Sequence, residues 1–213
     1  RMIIMDPART RNPKSCFTAI LAVAVDLARS RVWLRRSVNA RLSQEEMITL
    51  LFKIADETHT DILAVEDAGL NDHITGPLQR YAMQTGHYVH WELLPTQRKF
   101  VEAEGERRDI KECRASSALW LYRPLGSTHP AGCVWHEESI RHSDLEQQML
   151  GYPECKYWDA LDTLGHLDYL MRKMGLVFQK QDDTTAIEKP RSSADEWEEV
   201  INDRTWCYEG LVA

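Results

Sequence analysis

Three carboxylates stand where an apolar run ends or a helix begins. Asp6 closes Met2-Ile3-Ile4-Met5, Glu66 closes Ile62-Leu63-Ala64-Val65, and Asp159 lies in Lys156-Tyr157-Trp158-Asp159-Ala160-Leu161-Asp162, at the head of an amphipathic stretch. Carboxylate oxygens are the ligands that hard divalent cations prefer, and phosphodiester hydrolysis by two such ions, about 3.5–4 Å apart, needs several of them around one phosphate. The cofactor expected for such a site is Mg²⁺ or Mn²⁺, as a pair of ions. Strand ends suit the task because the sheet fixes the backbone while the side chains project into a cleft. Without a cation the acids repel one another, and at least one pKa must rise. With 33 acidic residues in the chain, each of the three taken singly reads as a solvated surface group. Asp159 also suits the positive end of a helix dipole.

These side chains can meet only through the fold. Met2 to Asp6, Phe17 to Asp26 and Arg31 to Arg35 read as three strands of an antiparallel meander. Ser43-Gln44-Glu45-Glu46 is a capping box that starts a helix, with Met47, Leu50, Leu51 and Ile54 at helical spacing. Asp61 to Glu66 is a buried strand, Asp72 to Thr85 a helix stopped by Gly86, and His87 to Leu94 a further strand, so this crossover is parallel. Arg108 to Tyr122 reads as a helix, Pro124 to Gly132 as a loop, Val134-Trp135 as a short strand, and Leu145 to Leu150 and Trp158 to Met174 as helices. The expected fold is α/β: a mixed central sheet, antiparallel meander plus parallel strands, with helices on both faces.

Composition sets outer bounds. The 213 residues, 43% hydrophobic and 28% charged, suffice for one domain with a substantial core. No apolar run approaches the roughly 20 residues that span a bilayer, so a soluble, intracellular protein without a membrane partner is expected. Five cysteines, Cys16, Cys113, Cys133, Cys155 and Cys207, are widely spaced without a Cys-x-x-Cys pair and read as free thiols. There is no phosphate-binding Gly-x-x-x-x-Gly-Lys-Ser/Thr loop, so ATP-driven work would belong elsewhere. The first strand starts at residue 2, as in a domain excised from a longer polypeptide.

The net charge of -7 argues against nucleic-acid binding through bulk positive charge. Part of the acidity lies beyond Gln181, in a stretch that reads as an acidic linker followed by a tail containing Trp197 and Trp206. Near the carboxylates the chain is locally basic: Arg9, Arg11 and Lys14 follow Asp6, and Lys111 and Arg114, three apart, share a helix face suited to DNA phosphates or to solvent. Trp33, Trp91, Trp120 and Trp158 sit in regular elements and read as core or rim packing. The eight histidines show no His-x-x-x-His pair and receive no role.

Taken in order, these segments resemble the nuclease domain of the large terminase subunit of tailed bacteriophages, a ribonuclease H-like metal-dependent nuclease. Ile4-Met5-Asp6-Pro7-Ala8 is similar to its first-strand motif, Phe17-Thr18-Ala19-Ile20 to the start of its second strand, and Ala64-Val65-Glu66-Asp67-Ala68-Gly69 to its central strand. Asp109-Ile110-Lys111-Glu112-Cys113-Arg114 resembles its Lys-x-x-Arg helix start, and Leu145 to Pro153 with Trp158-Asp159-Ala160-Leu161-Asp162 its closing motif. Two departures stand out: Cys16 occupies a place where the family often has an acid, and Trp158-Asp159 replaces Asp-Asp.

The resemblance covers residues 2 to 174. It implies a ribonuclease H-like nuclease domain over 1–175, an acidic linker and Trp-containing tail over 176–213, and a catalytic, metal-binding triad of Asp6, Glu66 and Asp159. The implied activity is endonucleolytic cleavage of concatemeric double-stranded DNA, with DNA contacts from Lys111, Arg114, Arg9 and Arg11. Implied partners are DNA, an ATPase domain of the same polypeptide, the portal and the small terminase subunit, in the cytoplasm of the infected host. Asp162, one turn beyond Asp159, can reach the same side as a ligand or supporting group; Asp67, adjacent to Glu66 in a strand, would face away. The alternatives are a Holliday-junction resolvase-like nuclease, which would have to dimerise, and a non-catalytic module docking on a portal.

Overall fold

Alternation along the apolar strands divides the core into two layers, and the two central strand-end carboxylates fall on one of them. The structure is a computed structural model that describes residues 1–8, 16–66, 71–94, 101–103, 106–108, 110–123 and 132–176. In chain order the elements are β1 (Met2–Asp6), β2 (Thr18–Asp26), β3 (Arg31–Ala40), α1 (Gln44–Thr58), β4 (Ile62–Glu66), α2 (Asn71–Thr85), β5 (His90–Leu94), β6 (Val101–Ala103), β7 (Glu106–Arg108), α3 (Ile110–Trp120), β8 (Val134–His136), α4 (Asp144–Gly151) and α5 (Asp159–Lys173). A 3-10 turn, Glu138–Ile140, precedes α4. The expected linker and tail lie outside the described residues.

Six strands form one mixed sheet in the order β5-β4-β1-β2-β3-β8, and β6 and β7 form a separate antiparallel pair. β1, β2 and β3 are the antiparallel meander; β4 runs parallel to β1, β5 parallel to β4, and β8 parallel to β3. Side chains of a strand alternate between faces. Ile3, Met5, Ile20, Ala22, Leu63 and Val65 therefore pack under α1 and α2, against Leu51, Phe52, Ile54, Ile74 and Leu78. Met2, Ile4, Ala19, Leu21 and Ala64 pack on the opposite face under α3, α4 and α5, against Ala115, Ala118, Leu145, Leu161 and Leu164. The α/β class with helices on both faces is as expected.

Several boundaries differ from the sequence reading, each for a local reason. β3 continues five residues past Arg35, because β2 pairs with it through to Thr18↔Ala40, with a bulge at Ala22/Val23. Its polar half, Arg36 to Asn39, obscured the alternation. β5 begins at His90 rather than His87, where the His90 amide donates to the Asp61 carbonyl. Arg108 belongs to β7 and pairs with Val101, so α3 starts at Ile110. Ser43 caps α1 as expected, accepting from the Glu46 amide while the Glu46 carboxylate accepts from the Ser43 amide.

α5 is anchored from outside itself. Trp158 at its N-cap offers no side-chain hydrogen bond, but buried Gln148 of α4 accepts from the Ala160 and Leu161 amides at 3.0 and 3.1 Å. A buried carboxamide thus satisfies amides that the first helical turn leaves without partners. At the other end of the sheet, the Tyr122 hydroxyl lies 2.7 Å from His136 Nε2, whose Nδ1 lies 2.8 Å from Glu146, tying α3, β8 and α4 together. Four of the described tryptophans pack on other rings: Trp33 on Trp135, Trp91 beside Phe52, and Trp158 on Tyr152. Among the described residues, Cys16, Cys113, Cys133 and Cys155 form no disulfide.

Candidate metal centre

Met5 lies beside Val65 in the parallel pairing of β1 and β4. The next residue on each strand, Asp6 and Glu66, therefore emerges at adjacent C-terminal ends on the face covered by α3 and α5. The C-terminal edge of a parallel strand pair is where open α/β sheets bind ligands. Helix α5 supplies the third acid from above. One carboxylate oxygen from each of Asp6, Glu66 and Asp162 lies within 4.8 Å of the others, a group able to hold a metal ion.

Close approach of α3 to α5 completes the arrangement. A Cβ added to Gly165 would lie 2.5 Å from the Arg114 carbonyl oxygen and 2.6 Å from its Cβ, so only glycine permits this crossing. The crossing brings Arg114 over Asp162: Nε donates to Oδ1 at 2.6 Å and Nη2 to Oδ2 at 2.7 Å, while Nη1 lies 3.4 Å from Glu66 Oε1. Lys111, one turn earlier, places Nζ 3.3 Å from Asp162 Oδ2 and 3.6 Å from Asp159 Oδ1. Asp159 is buried and accepts from the Phe17 amide through Oδ2 at 3.1 Å. His166, one turn past Asp162, places Nε2 3.3 Å from Glu66 Oε2 but out of line for a hydrogen bond; this buried nitrogen has no hydrogen-bond partner.

The electrostatics follow from crowding acids in a shielded site. Burial first, and then the Glu66 charge, push the Asp6 carboxyl well above the usual carboxylate range. Burial acts the same way on Glu66, but His166 and Arg114 together outweigh it and bring Glu66 down to about 2. Of the two coupled acids, Asp6 is the one that takes up a proton more readily. Burial opposes the charge on Lys111, yet Asp162, Asp6 and Asp159 outweigh it and raise its pKa above the ordinary lysine value.

Hard carboxylate oxygens around a shared space suit Mg²⁺ or Mn²⁺. Buried His166, with Nε2 3.3 Å from Glu66 Oε2, adds an imidazole to the same side of the group.

The structure brings Asp6 and Glu66 together as the sequence suggested, and sets Asp162 rather than Asp159 as their nearest third acid. Asp159 lies at the edge of the group, tied to Phe17 and Lys111. Lys111 and Arg114 share a helix face, but that face turns inward onto the carboxylates; the Arg114 side chain is only 14% exposed. Lys111 faces Asp159 and Asp162, and Arg114 faces Asp162 and Glu66. Arg9 and Arg11 lie outside the described residues. His166 went unassigned, although the Asp162-x-x-x-His166 spacing on one helix face was the signal available.

No family model matches the chain, and no curated protein does. Among the described residues no helix is long and apolar enough to cross a membrane.

Proposed function

We propose that this chain is a divalent-metal-dependent DNA endonuclease domain of ribonuclease H-like fold, the nuclease part of a terminase large subunit. The observation that carries the reading is the meeting of Asp6, Glu66 and Asp162 at the C-terminal ends of two neighbouring central strands. The sheet order, a three-strand meander continued by parallel β4 and β5 beside β1, agrees with that fold family. The order of the sequence motifs supports the narrower assignment. On it, the partners are double-stranded DNA, an ATPase domain of the same polypeptide, the portal and the small terminase subunit, in the host cytoplasm.

Asp6, Glu66 and Asp162 would hold the cation, which when bound supplies Lewis-acid activation of water and of the scissile phosphate. Arg114 fixes both oxygens of Asp162, so that the carboxylate meets its ligand in one orientation. His166 stands beside Glu66 on the side away from solvent. The substrate side is the rim near Asp159, where Arg41 lies 4.0 Å over the Phe17 ring, Phe17 meets Tyr157 edge-on at 5.4 Å, and exposed Lys156 lies over Tyr157. Cations carried on aromatic side chains suit contact with a nucleic-acid backbone. Arg9 and Arg11, which follow Asp6 in sequence and lie outside the described residues, are proposed to add to this DNA contact.

The test is plasmid digestion with Mg²⁺, Mn²⁺ or EDTA, using the chain and its Asp6→Asn, Glu66→Gln and Asp162→Asn variants. Cleavage is expected with either metal, abolished by EDTA and by each substitution. Cleavage that survives EDTA, or is undiminished in all three variants, overturns the reading.

A second reading draws on the bidentate Arg114–Asp162 pair: the acids form a structural ion-pair network in a non-catalytic module. In that case Mn²⁺ titration gives no specific binding, and the three variants lose stability without any activity to lose.

A further inference from the structure

Lys111 is placed differently from Arg114, and the difference bears on how many ions the centre takes. Arg114 is spent on Asp162 and Glu66, deep in the α3–α5 crossing. Lys111 sits at the accessible side, 35% exposed, with Nζ between Asp159 and Asp162, 3.6 Å from an oxygen of one and 3.3 Å from an oxygen of the other. Asp6, Glu66 and Asp162 come close enough to share one ion, and a second space lies between Asp159 and Asp162, where Lys111 bridges the two. The second space already has a cation in it.

We infer that Lys111 takes the place of a second metal ion, so that the centre holds one divalent cation and presents the lysine ammonium as the other positive charge to the substrate phosphate. The inference rests on the metal-dependent nuclease reading and replaces its expectation of two ions. Charge balance agrees. Once Asp6 gives up its proton, four carboxylates, Asp6, Glu66, Asp159 and Asp162, face the two side-chain cations Lys111 and Arg114, and the remaining two negative charges are those that one divalent ion neutralises. Geometry agrees as well. Glu66, with His166 beside it, lies at the first space, whereas the second is closed by Lys111 and by the Phe17 amide on Asp159. A lysine ammonium is a compact charge with freely rotating donors on a flexible stem, able to turn from a carboxylate to a phosphate oxygen, which the forked and buried Arg114 cannot do.

Counting bound Mn²⁺ by equilibrium dialysis and electron paramagnetic resonance on the full 213-residue chain tests this without any measurement of cleavage. The chain is expected to bind one Mn²⁺ at the centre. Lys111→Met, which keeps the length and removes the charge, is expected to bind two, and Lys111→Met with Asp159→Asn one again. Asp159→Asn alone is expected to leave the single ion in place. Two ions on the unsubstituted chain, or a single ion on a folded Lys111→Met variant, overturns the inference while leaving the nuclease reading intact. No specific ion on the unsubstituted chain overturns both. The count on the unsubstituted chain needs no variant, so the inference stays testable if Lys111→Met fails to fold.

Discussion

Arg114 grips Asp162 with both arms of its guanidinium, at 2.6 and 2.7 Å, across the contact where Gly165 lets α3 and α5 touch. The pair joins the two helices that cover the carboxylate end of β1 and β4, so the same interaction stabilises the layer and orients a carboxylate of the candidate metal centre. Removing one partner of a buried ion pair leaves the other uncompensated, at a cost of roughly 3–5 kcal/mol. Arg114→Met should therefore lower the urea midpoint strongly in EDTA, with about that loss of stability. Part of the loss should return with Mn²⁺, which supplies the missing charge. A variant as stable as the parent in EDTA would show that the pair is not what holds the two helices.

Gly165 and Gly76 form a matched contrast. A methyl at Gly165 would meet the Arg114 backbone, whereas around a Cβ at Gly76 nothing but its own chain neighbours lies within 4 Å. Gly165→Ala should destabilise by roughly 1–3 kcal/mol through overpacking and weaken Mn²⁺ binding, because Arg114 is displaced. Gly76→Ala should be near neutral, because the gain in helix propensity is set against crowding of the new Cβ by Pro77. Thermal melts of both variants, with Mn²⁺ titration of the first, check this; equal effects would contradict it.

Gln148 caps a helix to which it does not belong. Gln148→Leu keeps bulk in the core but strands the Ala160 and Leu161 amides. A loss of roughly 1–2 kcal/mol is expected, the size of a lost N-cap. Hydrogen exchange at those two amides should quicken more than exchange in the middle of α5; unchanged protection there would refute the role.

Proton uptake by Asp6 gives the metal-free protein a pH signature of definite sign. Asp6 has a raised folded pKa, so its contribution to stability is complete below the ordinary carboxylate range and is lost as pH rises through the raised value. Glu66, lowered to about 2, contributes at neutral pH and fails only as pH falls toward that value. In EDTA, stability should thus decline as pH rises from about 4 through the Asp6 titration, and Asp6→Asn should remove that decline and be more stable at neutral pH. Mn²⁺ binding should release a proton over the same range, which calorimetry in buffers of different ionisation enthalpy will detect. Proton release unchanged in Asp6→Asn would assign the proton elsewhere.

Much of the scaffold was legible in the chain. The short apolar runs ending in Asp6 and Glu66 are strands, the Ser43 box caps α1, and alternation places the helices on both faces. These features depend on neighbours within a few residues, where spacing is itself a physical constraint. β3 was cut short and α3 begun too early because polar strand residues carry no alternation to read.

The membership of the site was only half legible. Strand parity brings Asp6 and Glu66 to one face, and this follows from sequence once the strands are right. Whether Asp159 or Asp162 completes the group depends on the rotation of α5, which is set by its crossing with α3 at Gly165 and by the Gln148 cap. The same crossing turns Lys111 and Arg114 inward and brings His166 to Glu66. Sequence by itself determined which acids lie at the ends of elements and which share a face, because backbone periodicity is local. Only the tertiary structure decided which cations answer them, because that depends on the distance and rotation between two helices, and these are settled by packing between residues far apart in the chain.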